Sequence, residues 1–127
     1  MRKKPTKVLV AEDDATTRQL IARMLEAEGA SAIQCSDGKR CWQTLLDNPD
    51  IKLVVTDMYM PEMPGSELIA KMKSEESTRE IPIIMVSGRV KLSEIDSILA
   101  LGADRFLPKP IEGKDLKKYS KFLLARK

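Results

Sequence analysis

Five short apolar runs recur along the chain, and between them apolar residues fall three and four positions apart. The clearest run is 53–57 (LVVTD). Aliphatic and β-branched residues without polar alternation predict a strand buried on both faces, the kind found inside a parallel sheet. Pro61, Pro64 and Gly65 follow and forbid its continuation, which leaves Asp57 at the strand's carboxyl end beside a rigid turn. Taken alone, Asp57 reads equally as a turn or capping residue.

The remaining runs repeat this pattern. A first strand is predicted over 7–11 (KVLVA), followed by the acids Glu12, Asp13 and Asp14. A helix over 15–28 has Leu20, Ile21, Met24 and Leu25 on its inner face, and Gly29 stops it. A weak second strand covers 31–35. The turn Ser36, Asp37, Gly38 then opens a helix carrying Cys41, Trp42, Leu45 and Leu46, which halts near Asn48 and Pro49.

After the 53–57 strand, a helix from Ser66 places Leu68, Ile69 and Met72 inward, and 82–88 (PIIMVSG) is the fourth strand. The spacing predicts a helix over 91–101 with Leu92, Ile95, Ile98 and Leu99 inside and Gly102 as its stop. The last strand is 105–107, and a final helix presents Leu116, Tyr119 and Leu123 on one side with Phe122 beside them.

Strand and helix thus alternate five times without linker or repeat, which predicts an α/β architecture with right-handed crossovers and a parallel sheet between helices. All strand carboxyl ends then share one edge, where open α/β sheets bind ligands. With 127 residues and 43% hydrophobic content, a single domain over 1–127 with one ordinary core is expected. The longest apolar runs are a few residues, too short for a bilayer or a signal-peptide core, so a cytoplasmic protein without membrane attachment is expected.

Cys35 and Cys41 have no metal-type spacing and are expected as buried, reduced thiols. The net charge of +3 comes from basic ends: Arg2, Lys3, Lys4 and Lys7, then Lys114, Lys117, Lys118, Lys121, Arg126 and Lys127. A solvated helix face accounts for them better than a nucleic-acid site, since interleaved aromatics and a reading motif are both missing. The absence of histidine removes the commonest metal ligand and general base, so chemistry must run on carboxylates, hydroxyls and amines.

Four of the five predicted strands end in such groups: Asp13 and Asp14, Asp57, Ser87 and Lys109. Isolated polar caps explain any one of them; all four on one edge point to a shared site. Three carboxylates brought together must take up protons or a cation, and oxygen-only ligands favour Mg²⁺ or Mn²⁺. Lys109 and the Ser87 hydroxyl suit a group with several anionic oxygens. The parts describe phosphoryl transfer with a carboxylate nucleophile.

These residues, in this order, resemble the receiver domain of two-component response regulators. The resemblance runs from Val8 to about Leu124. It rests on Asp13-Asp14, on Asp57 followed by Met60-Pro61 and Met63-x-Gly65, on Ser87-Gly88, on Leu101-Gly102-Ala103-Asp104 and on Lys109-Pro110. It implies a flavodoxin-like (βα)5 fold, a three-layer sandwich with strand order 2-1-3-4-5, an order that general descriptions of such sheets already illustrate with a member of this family.

It further implies that Asp57 accepts a phosphoryl group from a sensor histidine kinase or a histidine phosphotransfer protein. Asp14, Asp57 and the Tyr59 backbone carbonyl would ligate Mg²⁺ directly, with Asp13 acting through water. Ser87 and Lys109 would hold the phosphoryl oxygens, and the Lys109–Pro110 peptide would be cis. Ser87 and Phe106 would form the switch, and Tyr59 and Arg89 would tune the lifetime of the acyl phosphate. The face of the fourth helix, fifth strand and fifth helix would then change its preference for a downstream protein or an output domain.

Three other readings remain open on the residues alone. A receiver-like interaction domain that is never phosphorylated would not need the full set of five side chains. An aspartate-nucleophile phosphohydrolase would place a second acid two residues after Asp57, where Tyr59 stands. A flavin- or nucleotide-binding module of similar topology would need glycines and amide donors after the first strand, where three acids stand.

Overall fold

The computed structural model describes residues 4–126, so the expected basic positions Arg2, Lys3 and Lys127 lie outside the described residues. In chain order the elements are β1 (Thr6–Ala11), α1 (Ala15–Glu26), β2 (Ala30–Cys35), α2 (Gly38–Asp47) and β3 (Ile51–Asp57). They continue with α3 (Gly65–Ser74), β4 (Ile83–Ser87), α4 (Leu92–Leu101), β5 (Arg105–Pro108) and α5 (Gly113–Ala125). The sheet is parallel throughout, in the order β2-β1-β3-β4-β5. Chain order reverses between β1 and β3, and this crevice is where ligands bind in such sheets.

Alternation along each strand divides the core into two layers. Leu9 and Ala11, Val54, and Ile83 and Met85 face one side, where they meet Leu45, Leu68, Ile69, Met72 and Ile98 from α2, α3 and α4. Val8 and Val10, Leu53 and Val55, and Ile84 and Val86 face the other, against Ile21, Leu25, Leu116 and Leu123 from α1 and α5. Strands buried on both faces carry no polar alternation, which is why the runs read so clearly in the sequence. Each fully buried aliphatic side chain contributes roughly 1.5–3 kcal/mol by leaving water.

Helix starts follow local chemistry. Asp14 and Asp37 cap α1 and α2 by accepting the N–H groups of Thr17 and Arg40, each at 2.8 Å. Gly29 and Gly102 take φ of 94° and 125° just after α1 and α4, as their expected role as stops requires. Gly65, the first residue of α3, has another function: a Cβ there would lie 2.2 Å from the Asp57 carbonyl oxygen. Its N–H meets the Met58 carbonyl at 2.8 Å, so α3 begins pressed against the end of β3.

The inner faces expected from spacing need correction. Leu68, Ile69 and Met72 of α3 are fully buried as expected, but Leu20 of α1 and Leu46 of α2 are exposed. The largest departure is α4, where Ile98 is buried, Ile95 is half-buried, and Leu92 is 87% exposed. Leu99 also faces outward at 38%. This helix packs on α3 and on β5, the edge strand, so only part of its apolar stripe finds a partner. Trp42 is half-buried against the first layer, with the Lys71 ammonium 5.9 Å from its ring centroid. Cys35 and Cys41 are both buried and unpaired by disulfide.

Candidate functional site

The carboxyl edge of the sheet forms a cleft of about 630 Å³ around the end of β3, lined by the acids Glu12, Asp13 and Asp14 that follow β1 and by Asp57, Ser87 and Lys109. Asp57 is delivered there as the last residue of a strand buried on both faces and is itself only 5% exposed. Its Oδ1 accepts the Met58 N–H at 2.8 Å. Its Oδ2 lies 3.3 Å from the Lys109 ammonium.

Lys109 reaches the cleft from the turn after β5. Its N–H donates to the Ser87 carbonyl at 3.1 Å, which ties that turn to the end of β4. The Lys109–Pro110 peptide is cis, as expected. The Lys109 Nζ lies closer to Glu12 Oε1, at 2.5 Å, than to Asp57. Glu12 is fully buried, and among the described residues its Oε1 accepts no hydrogen bond of regular geometry and is held by the charge of Lys109. The other carboxylate oxygen, Oε2, accepts the Asp14 N–H at 3.1 Å.

Electrostatics follow from this packing. Burial, reinforced by the nearby Asp57 charge, raises the Glu12 pKa above the ordinary carboxylate range, although Lys109 and the Asp14 N–H oppose the shift. Burial works against the Lys109 charge as well. Its contacts with Glu12 and Asp57 outweigh burial and leave its pKa raised.

One carboxylate oxygen each from Glu12, Asp13 and Asp57 come within 4.8 Å of one another. Asp14 is not in this group. Its carboxylate accepts both the N–H and the hydroxyl of Thr17, at 2.8 and 2.6 Å, and these bonds hold its pKa below the usual value. The acids that converge with Asp57 are therefore Glu12 and Asp13, where the expected pair was Asp13-Asp14. The physical reason is the start of α1 at Ala15, which makes Asp14 the N-cap.

Glu12 is the residue that spacing missed. Two signals pointed to it: it is the first residue beyond a strand buried on both faces, and Asp14 carries the N-cap pattern of an acid three residues before Thr17.

The other expected residues fall around this cluster. Ser87 is 2% exposed, with its hydroxyl oxygen accepting the Arg89 N–H at 3.1 Å. Tyr59 and Arg89 both line the cleft, and the Arg89 guanidinium stands 5.6 Å from the Tyr59 ring centroid. Phe106 does not line it. This ring sits on β5, in register with Met85 of β4, and lines a separate apolar groove with Val90, Ile95 and Tyr119.

Three anionic oxygens converging beside one half-buried ammonium suit a hard divalent cation with coordination positions to spare. The residues present fit such an ion: the donors are all oxygen, and the repulsion among them is only partly offset by Lys109.

Comparison with known proteins agrees with this geometry. A sequence model described as the response regulator receiver domain matches residues 8–121. The chemotaxis protein CheY1 of Helicobacter pylori is 33% identical over 120 residues, covering 94% of this chain and 97% of that protein. A CheY homolog from Campylobacter jejuni is 34% identical over 112 residues, covering 87% and 86%. A crystal structure of a putative response regulator from Chloroflexus aurantiacus superposes with a TM-score of 0.90 at 25% identity, covering 97% of this chain and 100% of that one. The sheet order, the converging acids at its switch point and the matched sequence together make this chain a member of the response regulator receiver-domain family.

Proposed function

We propose that this chain is a single receiver unit over 1–127 that works in the cytoplasm as a phosphoacceptor switch, with Asp57 as the acceptor of a phosphoryl group from a histidine kinase or histidine phosphotransfer protein. The observation that carries this reading is the Lys109 ammonium set between Glu12 and Asp57, 2.5 and 3.3 Å from their oxygens. An ammonium so placed serves oxygens that gather beside Asp57.

In the reaction an Asp57 oxygen attacks phosphorus, the O–P bond forms, and the P–N bond to the donor histidine breaks. Lys109 and the Ser87 hydroxyl then hold the phosphoryl oxygens. Asp13, Asp57 and the Tyr59 carbonyl would ligate Mg²⁺ or Mn²⁺, with Glu12 fixing Lys109 and acting on the ion through water. The ion supplies charge neutralisation on the phosphoryl group when bound.

The hydroxyl of Ser87 accepts only the Arg89 N–H among the described residues and is free to turn toward the phosphoryl group. Phe106 flanks the same strand end, and its movement would alter the α4–β5–α5 face offered to a downstream protein or output domain. The unit would catalyse its own phosphorylation and dephosphorylation rather than turn over a free substrate.

Intact mass after incubation with acetyl phosphate and Mg²⁺ tests the reading. One phosphoryl adduct is expected on the native chain and none on Asp57→Asn. An adduct at full yield in Asp57→Asn would overturn the assignment.

A further inference from the structure

The two cysteines are not used by the site above, and their placement is unusual. On β2, alternation turns Ile33 and Cys35 toward the layer that contains α2, and Cys41 enters the same layer from α2. Cys41 is fully buried. Cys35, at 7% exposure, forms part of the wall of a second cleft of about 280 Å³ whose rim carries Arg18, Arg40, Ser36 and Thr44.

We propose that Cys35 and Cys41 are a dithiol modification site, reached through this arginine-lined cleft by small disulfides bearing carboxylates and closing to an intramolecular disulfide.

The rim selects for negative charge. Arg18 donates to a neutral acceptor, the Glu12 carbonyl, at 2.9 Å, and its charge also acts on the Asp14 carboxylate, without a direct ion pair among the described residues. Arg40 is offset in part by Asp37, whose Oδ2 lies 3.7 Å from its Nε. A carboxylate on an incoming disulfide therefore meets two guanidinium groups beside Cys35, neither of them closed off by a short, bidentate ion pair. The two thiols have unequal roles. Cys41 is fully buried and absent from the cleft wall, whereas Cys35 forms part of that wall, so Cys35 meets the incoming disulfide first; the neighbouring Cys35 thiol and burial both push the Cys41 pKa up.

The chemistry is two thiol–disulfide exchanges. The Cys35 sulfur attacks one sulfur of the small disulfide, the S–S bond breaks, and one small thiol leaves with the Cys35 proton. The Cys41 sulfur then attacks the Cys35 sulfur, the mixed disulfide breaks, and the second small thiol leaves with the Cys41 proton. Two protein thiols are oxidised and one disulfide is reduced. The Cys35 carbonyl accepts the Glu12 N–H at 3.0 Å, so the pair lies one backbone hydrogen bond from the acidic cleft.

The test treats the folded, native chain with excess oxidised glutathione and reads intact mass and peptide maps. The native chain is expected to lose two hydrogens and carry no adduct. Cys41→Ser is expected to stop with one glutathione on Cys35, and Cys35→Ser to remain unmodified. The rate with oxidised glutathione, divided by that with neutral hydroxyethyl disulfide, should fall several-fold in Arg18→Gln. The proposal is overturned if the native chain stays fully reduced over a time in which the guanidinium-unfolded chain reacts completely, or if Cys35→Ser reacts as fast as the native chain. These measurements do not involve phosphorylation, so their failure leaves the phosphoacceptor reading where it stands.

Discussion

Replacing Asp13 and Asp14 one at a time by asparagine separates the two assignments of the acidic pair. Asparagine caps a helix about as well as aspartate, so Asp14→Asn preserves the start of α1. Asp13 supplies one of three oxygens gathered within 4.8 Å, whereas the Asp14 carboxylate is spent on Thr17. Loss even of a group that only orients a ligand typically costs about 10–100-fold in metal affinity, and a direct donor should cost at least that.

A carboxylate outside the coordination shell acts only through solvent. At one Debye length, ~8 Å in physiological salt, its attraction for a divalent ion amounts to about twofold in affinity after screening. Calorimetric titration with Mg²⁺ at ~0.15 M ionic strength is therefore expected to show at least a tenfold loss in Asp13→Asn and no more than about a twofold loss in Asp14→Asn. A tenfold loss in Asp14→Asn with near-native binding in Asp13→Asn would refute the one-residue shift.

Gly65→Ala places a methyl group 2.2 Å from the Asp57 carbonyl, so it should cost about 1–3 kcal/mol in urea unfolding and slow acyl-phosphate formation. Ile98→Ala should cost about 2–5 kcal/mol while Leu92→Ala stays within about 0.5 kcal/mol, because the first is buried and the second 87% exposed; equal losses would contradict the orientation of α4. Glu12 carries a pKa raised by burial above its ordinary 4.5, so in metal-free buffer the folded chain retains a proton that the unfolded chain releases, and stability falls as pH rises through that window. Glu12→Gln should remove this part of the slope, read as the difference between the two unfolding profiles from pH 4.5 upward. The Arg89 guanidinium stacked near Tyr59 stands at the mouth of the cleft, so Tyr59→Asn with Arg89→Glu should lose phosphate faster than the native chain at equal Mg²⁺.

The fold was legible where burial was complete. β3 and β4 are buried along almost their whole length, and the apolar face of α3 is fully buried, so period and composition point the same way. The apolar stripe of α4 misled because spacing states which side chains share a face, not whether that face is covered. Leu92, Ile95 and Leu99, three and four positions apart, share a face that α3 and β5 shield only in part, while Ile98 points about 100° around the helix from Leu99 and into the core. The site was legible as a set of strand ends, and the converging acids differ by one residue from the expected pair because three acids stand in succession and side-chain type does not discriminate among them. The predicted helix start at Ala15 already implies an N-cap at Asp14, which leaves Glu12 and Asp13 as the acids free to converge on Asp57.

That shift changes the balance of charge in the cleft. Glu12, Asp13 and Asp57 in ionised form carry −3, and Lys109 returns +1, so the cluster stands at −2. Burial of Glu12 and Asp57 makes this imbalance costly, and the raised Glu12 pKa is its visible symptom. A proton on Glu12 relieves only one charge and also weakens the hold on Lys109. A divalent cation relieves both and leaves Glu12 ionised against the ammonium. A phosphoryl donor, itself anionic, would meet net repulsion at Asp57 in the bare cleft, so cation binding is expected to precede the donor, and phosphorylation by acetyl phosphate should vanish in chelator even though Asp57, Ser87 and Lys109 are all intact.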